Sequence, residues 1–372
     1  MHTFAASPGT LPPAPPPPAP SFGVALAERA AQVLTPAVLA VAHRRLQRKA
    51  GVVSVWMVLS YAAVLTASSV PTGVAACTSL ALAMTAVGFN IGHDANHNAL
   101  FATGGKRRLS SANRLAGLAM NAIGADAGRW QSGHVRRHHS APNVARRDDD
   151  IDLAPFARLA PSQQHRSWHR FQHLYLWPLY TVTAAAVFIT DVTATIGECV
   201  RGDDRGQHPS ARTVATMAVS KLLFLVVMVG IPALVHTPIS VALGVVGTAA
   251  LAGLLLGVVF QLAHTVEGAA FRDVDDESAD RWHEWQVRAT ADFCHGRGAI
   301  ARAVTWFTGG LNHQVEHHLF PAVPHTAYPA LVPAVASLCA DHGLVHRVQP
   351  TLRAALVSHH RHLRTMGRTP AG

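Results

Sequence analysis

Four apolar runs, at about residues 52–70, 73–91, 217–236 and 239–260, constrain this chain more than any other feature. Each is close to the ~20 apolar residues that a helix needs to cross a bilayer. They fall in two tight pairs, joined by Pro71-Thr72-Gly73 and by His236-Thr237-Pro238, and neither joint carries Lys or Arg. Nearly all basic residues lie in the other segments, 1–51, 92–216 and 261–372. Inside lipid a segment must pair its own backbone groups, so the runs predict two helical hairpins. The positive-inside rule then predicts that both termini and the long central segment are cytoplasmic. Lys221, near the inner end of the third run, is expected to snorkel to the interface. A fifth apolar stretch, 174–190, contains Trp177, Pro178 and Tyr180. A full crossing there would place the two ends of the central segment on opposite sides, so it reads as an interfacial helix.

Composition agrees. Charged residues are only 14% and hydrophobic residues 49%, against a usual charged share of about 25%. That leaves too few charges to cover two soluble domains. The positive balance, 31 − 21 = +10, is a signal of cytoplasmic loops, and no nucleic-acid partner is expected. Residues 1–22 are rich in proline and read as a disordered tail. Residues 23–50 read as an amphipathic interfacial helix ending in Arg44, Arg45, Arg48 and Lys49. The membrane domain is expected over 51–345, with a basic C-terminal tail over 346–372. Cys77, Cys199, Cys294 and Cys339 are far apart with no CxxC spacing, which indicates neither a zinc ribbon nor a disulfide frame.

The 24 histidines outnumber the 21 acidic residues and are clustered. His93 and His97 stand at i, i+4 at the end of the second run, on one helix face. His134 precedes the pair His138-His139, and His313 precedes the pair His317-His318. His264 sits just past the fourth run. A lone histidine is most often a surface or satisfied core residue, but three clusters fall at the same predicted boundary, where the spans would gather them. Imidazole suits Zn, Cu, Fe and Ni. A single zinc takes about four ligands, so eight or more histidines point to two ions. No cysteine lies in a cluster, which argues against iron–sulfur or thiolate–copper sites. A His-rich pair of ions with open positions fits iron that activates O2. Asp94 and Glu316 sit inside the clusters and are expected to orient ring N–H groups. His165, His169, His173, His342, His346, His359, His360 and His362 read as surface or interface residues. The acidic run Asp148 to Asp152 reads as a helix-starting or loop-stabilising element, and Trp282, Trp285 and Trp306 as interfacial aromatics.

Taken with their flanks, these clusters resemble the membrane fatty acid desaturase family over about residues 50–345. The strings are GHDANH (Gly92 to His97), WQSGHVRRHH (Trp130 to His139), FQLAH (Phe260 to His264) and GGLNHQVEHHLFP (Gly309 to Pro321). Gln314, where the third box would open on histidine, is similar to the front-end and bacterial acyl desaturase branch. The resemblance implies an all-α membrane protein: four transmembrane helices in two hairpins under a cytoplasmic helical cap that holds two irons. It implies O2-dependent insertion of a double bond into an acyl chain carried by coenzyme A, a carrier protein or a lipid. The implied ligands are His93, His97, His134, His138, His139, His264, His317 and His318, with His313 and Gln314 as further candidates. Front-end eukaryotic members carry a fused haem domain with a His-Pro-Gly-Gly sequence. That sequence is not found here, so a separate ferredoxin or cytochrome with its reductase is the expected electron donor. Arg129, Arg136, Arg137 and Arg288 are candidates for the acyl head group, and membrane lipid is an equal claimant on them. Hydroxylation, acetylenation or epoxidation by the same centre is the nearest rival. A metal transporter is a remote one, since it would need ionisable groups along the spans.

Overall fold

The computed structural model describes residues 21–104, 108–203, 206–276 and 281–368. The proline-rich segment 1–20 lies outside the described residues.

Helix Phe22–Val33 comes first, and its buried Phe22, Leu26 and Ala30 pack against Tyr328, Leu331, Val335 and Leu338. The chain then breaks at Thr35, whose hydroxyl accepts from Val38 N, and restarts at Pro36. Proline lacks an N–H and is best suited to the first turn of a helix. The single helix expected over 23–50 is therefore two. The second runs unbroken from Pro36 to Thr66, so the basic group at 44–49 and the first apolar run share one rod.

Ser69 and Thr72 form a capping box that starts the next helix, Val70–Asn96. It passes through a π-helical stretch, Gly88–Gly92, just before His93. Such π stretches occur often at functional sites. The other long apolar helices are Ser167–Arg201, Ala211–Leu234 and Pro238–His264, so among the described residues five helices have the length and composition to cross a membrane. The tips of the two hairpins meet: Tyr61 Oη donates to Val227 O at 2.6 Å, and His236 Nε2 lies 2.7 Å from Val64 O.

The stretch expected as an interfacial helix at 174–190 extends over Ser167–Arg201. Both of its ends are tied to the segment that carries the second histidine cluster. Gln172 donates to Arg158 O at 2.8 Å, and Arg129 donates to Glu198 at 3.0 Å. Between them Asp191 accepts from Asp126 N and from Lys221 Nζ, at 2.8 and 2.6 Å. Lys221 also donates to Gly124 O at 2.6 Å. It is buried and paired and does not snorkel, because a carboxylate and a carbonyl meet its ammonium inside the fold.

The cap is built from helices Trp282–Ala289, Ala299–Phe307, Gln314–Leu319, Tyr328–Asp341 and Leu352–Met366. Two short parallel strand pairs stitch it: Val144–Ala145 with Arg272–Asp273, and Asp292–Phe293 with Val348–Gln349. The segment expected as a basic tail instead packs into the cap. Helix Leu352–Met366 buries Ala355, Ser358, His359, His362 and Leu363, spaced along one helical face. His359 lies 2.7 Å from Thr265 O and 2.8 Å from Tyr180 Oη, and His362 lies 2.8 Å from Leu159 O. His169 and His173 are buried as well. These four are interior residues, where the sequence reads as placing them at the surface or an interface.

Candidate metal centre

Four sequence-distant segments converge on one buried cluster of imidazoles. His93 and His97 project from the end of helix Val70–Asn96 and the residue after it. His134 and His138 lie on a π-helical stretch, Gln131–His138, and His139 follows it. His264 is the last residue of its long helix, and His317 and His318 lie on Gln314–Leu319. Among the described residues, ring nitrogens of His93, His97, His134 and His317 all fall within 4.8 Å of one another. His138, His264 and His318 form a second such group. His139 joins His317 and His318 in a third, sharing one member with each of the others.

The segment of His317 and His318 reaches the first through its paired glycines. Gly309 and Gly310 have φ of +64° and +71°, in the left-handed region that favours glycine. A Cβ on Gly309 would meet Phe89 O. Close backbone approach at this point sets His317 against His93, with ring centroids 4.5 Å apart.

The hydrogen bonding of the rings follows a pattern. His93 Nδ1 lies 3.3 Å from Asp94 Oδ1, His134 Nδ1 3.2 Å from Asp150 Oδ2, and His138 Nδ1 2.9 Å from Asp148 Oδ1. His317 Nδ1 lies 3.1 Å from Tyr328 Oη, and His318 Nδ1 2.8 Å from Gln286 Oε1. In each case an outer partner fixes the ring through Nδ1. The opposite nitrogens of His93, His134 and His317 are buried without a hydrogen bond, as is Nε2 of His97 and of His139, whereas Nε2 of His138 and Nε2 of His318 face each other at 3.3 Å. Orphaned buried nitrogens cost free energy unless something meets them. Rings anchored at one nitrogen and bare at the other are how metal-binding histidines are held. The site therefore fits metal, and the two groups fit two ions.

Electrostatics favours the same state. Burial holds His139, His317 and His318 far below the usual imidazole range and brings His134 down to about 4. Neutral rings are what a cation needs. At His138 burial also lowers, but the carboxylates of Asp148 and Asp150 outweigh it and push the ring up to about 9.

The other candidates are placed as follows. Gln314 Nε2 lies 2.9 Å from His264 Nε2, inside the cluster. His313 sits instead beside His295, with centroids 5.1 Å apart. Asp94 orients His93 as expected from the sequence. Glu316 does not orient a box ring: its Oε1 lies 3.2 Å from His346 Nε2. Arg129 is held by Glu198 and Asp191, and Arg137 by Asp149, whereas Arg136 and Arg288 are exposed. The acidic run does more than start a turn, since Asp148 and Asp150 are the outer partners of the second box. Its adjacency to that box was the available signal. Gln286, Tyr328 and Trp130, which stacks on His134 at 4.5 Å, carried little signal of their own. Trp285 is buried and donates to Pro142 O at 2.8 Å, so it is not an interfacial aromatic.

Comparison with known proteins points the same way. The family described as fatty acid desaturase matches residues 69–350. The chain is 33% identical over 322 residues to the sn-1 linoleoyl-lipid 6-desaturase of Synechocystis, covering 85% of this chain and 87% of that one. It is 33% identical to the enzyme of the same name from Arthrospira platensis, over 79% of this chain and 78% of that one. The acyl-lipid (8-3)-desaturase of Physcomitrium patens is 31% identical over 76% of this chain and 58% of its own length. This chain belongs to the fatty acid desaturase family and is an oxidoreductase that desaturates fatty acyl chains.

Proposed function

We propose that the protein inserts a double bond into the acyl chain of a membrane lipid, using O2 and two irons held by the imidazole cluster. The observation that carries this reading is the ring pattern: in the first group rings anchored from outside leave bare inner nitrogens, and in the adjoining group the inner nitrogens of His138 and His318 face each other at 3.3 Å. The proposed ligands are His93, His97, His134, His138, His139, His264, His317 and His318. Gln314 lines the second group, and His313 stands outside both. An alkyl C–H bond offers no acidic handle, and the irons would supply the redox chemistry that side chains lack.

The chain's own residues do the rest. Asp94, Asp148, Asp150, Gln286 and Tyr328 fix the ring orientations. Burial of the cluster keeps bulk water away. The relatives' names specify acyl-lipid substrates, and a lipid-borne chain can reach such a centre laterally from the bilayer. Arg136 and Arg288 are the arginines we assign to the head group or to surrounding lipid. Electrons come from a separate ferredoxin or cytochrome with its reductase.

The topology we assign has four crossings, with both termini and the histidine clusters on the cytoplasmic side. The ties of Ser167–Arg201 at both ends to the segment around the second box support a non-crossing, interfacial course for that helix. The division into an interfacial N-terminal part and a membrane domain over 51–345 remains part of this reading, with 346–368 joined to the cap.

Expression in a host of known lipid profile tests the reading, with fatty acids analysed by mass spectrometry. New unsaturated chains that vanish in His317→Ala are expected. An unchanged profile with folded, iron-loaded protein would overturn it.

A further inference from the structure

Glu316 leaves its helix away from the imidazole centre and enters a second buried cluster. Ligand atoms of Asp292, Glu316 and His346 all lie within 4.8 Å of one another. His346 Nε2 is 3.4 Å from Asp292 Oδ2 and 3.2 Å from Glu316 Oε1. His295 Nε2 stands 3.5 Å from the same Asp292 oxygen. Both carboxyl side chains are fully buried. Asp292 Oδ1 is used, accepting from Val315 N at 2.9 Å. Asp292 Oδ2, Glu316 Oε2 and His295 Nε2 are buried with no hydrogen bond.

Two facing carboxylates cut off from water repel each other, and leaving either unpaired is costly. His346 and His295 approach them, yet one oxygen of each carboxyl group stays without a hydrogen bond. We propose that Asp292, Glu316, His346 and His295 form a further metal site, distinct from the imidazole centre, that takes a divalent transition-metal ion such as zinc. Two carboxylate oxygens and two imidazole nitrogens supply four ligands of the types that zinc takes in tetrahedral coordination. The ion's two charges balance the two carboxylates. It would also explain why the residues come from separate elements. Asp292 lies on a strand, Glu316 on the helix that bears His317 and His318, and His346 just before the partner strand. An ion here ties that helix to the strand pair and so steadies two ligands of the imidazole centre. His295, the most accessible of the four, with 18% of its side chain exposed, marks the way in.

Titration of the full-length, iron-loaded protein with Co2+ tests this. The expected result is one Co2+ taken up per chain with the visible bands of a four-coordinate ion, iron content unchanged. In His346→Gln the uptake falls at least tenfold while iron is retained, which also shows that the variant folds. If His346→Gln does not fold, the wild-type stoichiometry decides alone. A protein that binds no iron yet takes up a Co2+ lost in His346→Gln would leave this site standing and remove the iron reading. No Co2+ uptake by the iron-loaded wild type, or uptake unaltered by His346→Gln, overturns the proposal.

Discussion

His325 Nδ1 lies 2.8 Å from Asp94 Oδ2, so the carboxylate that orients His93 is itself clamped from the opposite side. The line continues outward, because Lys49 Nζ lies 2.9 Å from His325 Nε2. A rigid carboxylate holds the His93 ring in one tautomer and direction. Asp94→Asn keeps the shape but removes the charge. Metal content of the purified protein should fall with a roughly 10–100-fold loss of affinity, the usual effect of removing such a partner. Retained iron at the wild-type affinity would show that Asp94 serves only packing.

Much of this centre was legible in the sequence. The i, i+4 spacing at His93 and His97, the paired histidines and the place of His264 past an apolar run marked the clusters, and the resemblance to the desaturase family picked out the eight rings now found together. What was not legible arises from tertiary contact. His325, Gln286 and Tyr328 reach the rings only after the cap folds, and no local spacing marks them. Glu316 was misassigned because sequence adjacency to His317 does not give its direction. Helix Leu352–Met366 was missed because its many basic residues hid a buried face at Ala355, His359 and His362. The fifth apolar helix was found in the sequence, but its extent was not, since Pro178 lies within the helix and does not end it.

The Lys221–Asp191 pair should matter to stability. Lys221→Met leaves the buried Asp191 carboxylate with only the more distant Arg129, 3.8 Å away, so the cost approaches but stays below the about 3–5 kcal/mol of a buried charge with no partner. Thermal unfolding in detergent should show a clear drop for this variant. The double variant Lys221→Met with Asp191→Leu should recover much of it, since neither charge then remains. Equal losses in the single and double variants would contradict the pairing.

Gly309 should tolerate no side chain. Its φ of +64° disfavours L-residues, and a Cβ would strike Phe89 O. Gly309→Ala should cost more than about 2 kcal/mol and part the third box from the first. Loss of bound iron together with a lower melting temperature is the expected pair of readings. Unaltered iron content would mean that the approach to Phe89 is not needed to assemble the site.

Acid should loosen the C-terminal helix. Burial lowers His362 to about 4 and His359 to about 3, from an ordinary value of 6.5. Both rings are neutral in the folded cap, whereas the unfolded chain takes up protons below about pH 6.5. Their stabilising contribution is thus whole above that pH and declines as pH falls toward 4 and 3. Hydrogen exchange over 352–366 should quicken across this window, and His362→Gln should flatten the change. Exchange independent of pH, once intrinsic rates are corrected, would contradict the buried placement.

The most direct test of the central claim is a single turnover of the purified protein. The iron-loaded enzyme would be reduced chemically and given a labelled acyl lipid and 18O2, and the product weighed by mass spectrometry. The account predicts a product that has lost two hydrogens and gained no 18O, absent in His317→Ala. A product carrying 18O, or unchanged lipid from fully iron-loaded enzyme, would contradict it.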